Sequence, residues 1–133
     1  TVCDNACNGE EWKVLDLSWM PSLKLLDVGK YCFKHVDEVK LIGLTELKSI
    51  VIGDKNFCDS ESCGDDSVVR HFHLKTCPSL ESLKIGEFSF HDFTVCEIED
   101  VDALVLIEIG MTGGICCFER ASLELKSILI HEE

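Results

Sequence analysis

The chain has 133 residues, with 46% hydrophobic and 28% charged side chains and nine cysteines. That is long enough for one domain with a sizeable core and too apolar for a disordered chain. Its 25 acidic residues against 12 Lys and Arg give a formal charge of −13, which repels nucleic acid phosphates and anionic lipid and excludes both as expected partners.

Taken in chain order, the opening "TVCDNACNGE" has neither the charge nor the apolar centre of a signal peptide. No apolar run reaches the ~18 residues of a membrane span, so no membrane insertion is expected. The numbering starts at Thr1, which leaves a processed form and a piece of a longer chain both open. Residues 1–11 are expected to form a cysteine-containing cap or docking segment, carrying Cys3 and Cys7, where a disulfide would tie it down.

From Trp12 onward the chain repeats itself. The copies are "VLDLSWMPSLKLLDVGKYCF" (14–33), "EVKLIGLTELKSIVIGDKNF" (38–57), "HFHLKTCPSLESLKIGEFSF" (71–90) and "VCEIEDVDALVLIEIG" (95–110). Leu17, Leu41, Leu74 and Ile98 form one column, Leu26, Ile50, Leu83 and Ile107 another, Val28, Ile52, Ile85 and Ile109 a third. Each copy ends on a glycine, at 29, 53, 86 and 110, spaced 24, 33 and 24 apart. The longer interval is one period plus a nine-residue insertion within 58–70, with a loop at about 58–67.

Two segments per copy alternate with period two, as a strand with one buried face does: the type "VKL" (39–41) or "FHL" (72–74), and the type "SIVI" (49–52) or "SLKI" (82–85). The glycine after the second segment fits a corner needing positive φ or a close backbone approach, and the Phe four residues later can fold back as a core plug. The best helical stretch, "GKYCFKHVDEVK" (29–40), is short. One copy cannot bury its leucines alone, so the expected fold is mainly β: a β-solenoid with two short parallel strand ladders, four to five coils and little helix, over residues 12–133.

The insertion carries Asp59, Glu61, Asp65 and Asp66, oxygen ligands of the kind calcium prefers but without the EF-hand order, so a solvated loop is the expectation. Cys58 and Cys63 flank it and form a candidate staple. His71 and His73 share one strand face and are read as a solvated pair, since no third metal ligand is placed beside them. Cys77 and Cys96 fall in apolar columns and are expected as buried thiols. With Cys3, Cys7, Cys58 and Cys63, the residues Cys32, Cys116 and Cys117 complete the disulfide candidates, the last two in a loose glycine-containing corner. The closing "SLELKSILIHEE" is a compressed copy in which Leu125, Ile128 and Ile130 match Leu47, Ile50 and Ile52, and His131 stands for the glycine because no further coil follows.

The L-x-x-L-x-[IV]-G pattern followed by Phe (23–33, 47–57, 80–90) resembles the leucine-rich repeat superfamily, and more closely the divergent repeats of protist and bacterial surface proteins. The likeness spans about 12–131 and implies a binding or adhesion module rather than an enzyme. The chain departs from the common pattern in lacking an asparagine ladder, since Lys30, Asp54, Glu87 and Met111 follow the glycines, and so departs from the strand-plus-helix horseshoe.

No nucleophile elbow, phosphate-cradling loop or zinc-protease motif occurs, so no enzyme and no cofactor are expected. The cysteine density points to an oxidising, extracellular or cell-surface setting. Standard N-x-S/T acceptors are absent, with only N-x-C at Asn5 and Asn56. A stack of coils must cover its apolar ends, and the closing "HEE" is too little for a lid. Two functions follow: a structural subunit that packs head to tail into a filament, with Trp12, Val14, Leu125, Ile128 and Ile130 as end contacts, or a monomeric recognition module for a protein or glycan. The odd cysteine count and the uncovered end favour the first.

Overall fold

The computed structural model describes residues 1–58, 69–112, 115–116 and 122–126, with backbone alone from 111 onward. Its strands are β1 (Val14–Asp16), β2 (Leu25–Val28), β3 (Glu38–Ile42), β4 (Ser49–Ile52), β5 (His71–Lys75), β6 (Ser82–Ile85), β7 (Val95–Glu99), β8 (Leu106–Ile109), β9 (Met111–Thr112), β10 (Ile115–Cys116) and β11 (Ser122–Lys126). No helix occurs among the described residues, and the 29–40 stretch contributes its last residues to β3.

β1 to β8 alternate between two parallel sheets, and β11 joins the first of them. One has the order β1-β3-β5-β7-β11 and the other β2-β4-β6-β8. Residues sharing a sequence column lie side by side: Leu41, Leu74 and Ile98 in the first sheet, Leu26, Ile50, Leu83 and Ile107 in the second. Eleven residues separate the two strand starts in every pair, at Val14 and Leu25, Glu38 and Ser49, His71 and Ser82, Val95 and Leu106. Both ladders therefore keep their register across the insertion.

The alternating pattern of β3, β5 and β7 sends every second side chain inward, and Val39, Leu41, Phe72, Leu74 and Cys96 are buried against Ile50, Ile52, Leu83 and Ile85 of the facing sheet. Cys77 is buried as expected from its column. The closing segment differs from its expected alignment. Leu125 pairs with Ile98 and Leu123 with Cys96, so residues 122–126 continue the first ladder rather than the second. The Leu-x-Leu spacing fits either ladder, and only the pairing distinguishes them. The loose corner before it contains a short antiparallel pair, β9 with β10, in which Cys116 lies opposite Met111.

Candidate interaction surfaces

The corners after β2, β4 and β6 share one construction. Gly53 donates to Val28 O at 2.9 Å, Phe57 to Cys32 O at 3.0 Å and Phe90 to Asn56 O at 3.0 Å, so the backbones of successive corners are hydrogen-bonded beyond the strands. Each corner places its second and fourth residues after the glycine in the left-handed region: Tyr31 and Phe33, Lys55 and Phe57, Phe88 and Phe90, all with φ between 55° and 60°. That costs roughly 1 kcal/mol or more per residue, and it turns the Phe side chains inward. Phe33, Phe57 and Phe90 form a stack with ring centroids 4.9 and 4.4 Å apart, and Phe93 closes it edge-on. The expected core plug is thus a continuous aromatic column.

The glycines serve close approach. A Cβ on Gly53 would sit 2.6 Å from Gly29 O, and one on Gly86 2.5 Å from the Gly53 carbonyl carbon. Every such Cβ points back to the preceding corner. His131, read as standing for the glycine of a last coil, lies outside the described residues.

The corner's polar side chains were missed in the sequence. Asn56 is fully buried three residues after Gly53; its Oδ1 accepts from Cys32 N at 2.7 Å, and its Nδ2 donates to Gly29 O and Gly53 O at 2.7 and 2.9 Å. Ser89, next in the column, accepts from Asn56 N and donates to Gly53 O. A one-rung counterpart of an asparagine ladder does exist, three residues after the glycine rather than directly after it. Leaving two buried backbone groups unpaired would cost about 1–3 kcal/mol each, which is why a polar residue occupies the interior there.

The N-terminal segment is built as another such corner. Val2 bridges to Val28, Gly29 donates to Val2 O at 2.8 Å, and Asn5 and Cys7 have φ of 60° and 57°. "VCDNACN" therefore runs alongside "VGKYCFK", with Cys3 at the glycine position, Ala6 beside Cys32 and Cys7 beside Phe33. No described corner precedes Cys3, so a side chain fits where the later corners require glycine. Backbone bonds tie this segment down in place of the expected disulfide, since Cys3 and Cys7 are both free.

Cys3, Cys7, Cys32, Cys77 and Cys96 are free thiols, and Cys58 Sγ lies 3.6 Å from Asp92 Oδ2. Cys32 is buried and its Sγ donates to Cys3 O at 3.1 Å; burial pushes Cys96 up to about 12 and raises Cys77, so these interior thiols stay protonated. Cys63, Cys117, Ile128, Ile130 and the acidic residues of the insertion lie outside the described residues. At the mouth of that insertion, Arg70 Nε meets Asp37 Oδ1 at 3.0 Å and its Nη1 meets Asp92 Oδ2 at 3.2 Å, with Arg70 and Asp92 both buried. This ion triad joins three successive chain returns.

On the outer face of the larger sheet His71 and His73 stack at 5.3 Å, His73 Nδ1 is 3.7 Å from Glu97, and Lys75 Nζ bonds Glu97 at 2.7 Å. Among the described residues no three His, Cys, Asp or Glu groups converge as a metal site. Partial burial lowers the His73 imidazole below its ordinary range; Lys75 and His71 add to this, while Glu97 and Glu38 oppose it. The unfolded chain then takes up this proton first as the pH falls, so stability is expected to decline from about pH 7 toward 5. Thermal melts across that window should show His73→Gln with a flatter decline, and an identical slope in the variant would remove His73 as the cause.

Large apolar side chains are exposed at both ends of the sheets. Trp12, Val14, Trp19 and Leu25 lie around β1 and β2. At the other end, Ile107 and Ile109 are 43% and 41% exposed, although their column mates Ile50, Leu83, Ile52 and Ile85 are at most 3% exposed. Among the described residues no strand follows β8 in its sheet. No family model, curated protein or solved structure matches this chain.

Proposed function

We propose that this chain is a leucine-rich-repeat-like β-solenoid acting as a non-enzymatic structural subunit, which associates head to tail into an extracellular filament. The observation that carries the reading is the open core column at β8, where Ile107 and Ile109 hold core positions yet remain about two-fifths exposed. Covering each contributes roughly 1–2 kcal/mol. The opposite end offers Trp12, Val14, Trp19 and Leu25. Parallel ladders have unlike ends, so a contact between them is heterologous and repeats without closing. A charge of −13 opposes this contact at low ionic strength, so assembly is expected to strengthen as salt is raised.

Sedimentation velocity over a salt and concentration series, with negative-stain microscopy of the same samples, tests the reading. Fibres are expected from the native chain and monomers from Ile107→Lys, whose exposed position tolerates the charge. A native chain that stays monomeric throughout, or Ile107→Lys fibres like the native ones, would overturn it.

A further inference from the structure

Asn5, Tyr31 and Lys55 occupy the same left-handed position in three successive corners, with φ of 60°, 58° and 59°. Asn5 N donates to Lys30 O and Tyr31 N to Asp54 O, which sets the three side by side at the ladder spacing of about 4.8 Å. This conformation, which glycine would adopt at less cost, turns their side chains outward, and all three are exposed. With Asn8, Lys34 and Cys58 they line a cleft of about 270 Å³.

We propose that this cleft binds an acidic sugar residue, its carboxylate or sulfate held by Lys55 and its ring hydroxyls by Asn5 and Tyr31. The charge is the first reason. In a chain of −13, no carboxylate is among the described residues that line the cleft, and Lys55 reaches it. The acidic surroundings repel extended polyanions while the Lys55 ammonium attracts one small anion. The polar groups are the second. Lys55 Nζ lies 5.3 Å from the Tyr31 ring centroid and donates to Tyr31 Oη at 3.4 Å, leaving the phenol hydrogen to donate outward. The Asn5 amide makes no side-chain hydrogen bond among the described residues. Asn8 is the fixed floor, donating to Tyr31 O at 2.7 Å and accepting from Lys34 N at 2.9 Å. The third reason is size: the volume is below the range of about 300–1,000 Å³ of sites for larger ligands and suits one sugar ring.

The test is a backbone amide NMR titration of the full chain with methyl glucuronide, a sulfated glucose, methyl glucoside, acetate and inorganic sulfate. Saturable shifts at Asn5, Tyr31 and Lys55 are expected with one or both acidic sugars, and which responds identifies the acid group. The neutral glucoside should be silent, and acetate and sulfate weaker. Lys55→Gln should weaken binding by about tenfold or more, as loss of a charge-assisted hydrogen bond implies. Lys55→Gly, whose backbone suits φ of 59°, is the variant that keeps the fold and should lose binding as well. Equal responses to acetate or inorganic sulfate, silence with both acidic sugars, or undiminished binding by Lys55→Gly would each overturn the proposal.

Discussion

Phe57→Ala is expected to destabilise the chain by about 3–5 kcal/mol, a large share of the ~5–15 kcal/mol available to a domain. Phe57 is buried between Phe33 and Phe90 with ring planes within 10° of parallel, and Phe93 meets it edge-on. Truncation removes the burial of a whole ring and the contacts of three others, which cannot close the gap because each is held by its own corner. The left-handed backbone at Phe57 then remains without the packing that offsets it. Denaturant melts check this through a lower midpoint at an unchanged slope. Phe57→Leu should lose clearly less, and equal losses for Leu and Ala would show that volume in the column is not what matters.

Arg70→Met should cost a similar amount, about 3–5 kcal/mol, through charge rather than volume. The substitution leaves Asp92, which is buried beside the Phe column, without the guanidinium 3.2 Å away, and it strips Asp37 of its 3.0 Å partner. The Arg70 backbone, which accepts from Thr94 N and Val95 N, is untouched, so strand entry into β7 is preserved. The double variant Arg70→Met with Asp92→Leu should recover much of the loss, since a buried ion pair replaced by apolar groups of similar volume is often neutral. A double variant no more stable than Arg70→Met would mean that the triad acts through geometry, not through an uncompensated carboxylate.

The strands were legible because their signal is local. Alternation in "EVKLI" and "HFHLK" assigns the buried face of β3 and β5, and the columns set the ladder register correctly across a nine-residue insertion. Burial of Cys77 and Cys96 followed from the same columns. The corners were only half legible. "IGDKNF" announces a turn and a core aromatic, but Asn56 acts on Gly29 O and Cys32 N, 27 and 24 residues away, and no local period encodes such a partner. The first eight residues look like a separate cap because Cys3 replaces glycine and Cys7 replaces Phe, and only the bridge from Val2 to Val28 reveals their kinship with the later corners.

For β1 to β7 the sequence by itself determined which residues form strands, which face of each is buried and which positions are neighbours in a ladder, because side-chain alternation and spacing are properties of one strand at a time; the ladder that 122–126 joins was decided by pairing. The tertiary structure decided the rest: that each corner glycine yields to the corner before it, that Asn56 bonds Gly29 O and Cys32 N and Arg70 bonds Asp92 across chain returns, and that Asn5, Tyr31 and Lys55 share one cleft. Those contacts join residues about one repeat apart along the chain, and they exist only once parallel pairing has brought successive corners to within hydrogen-bonding distance.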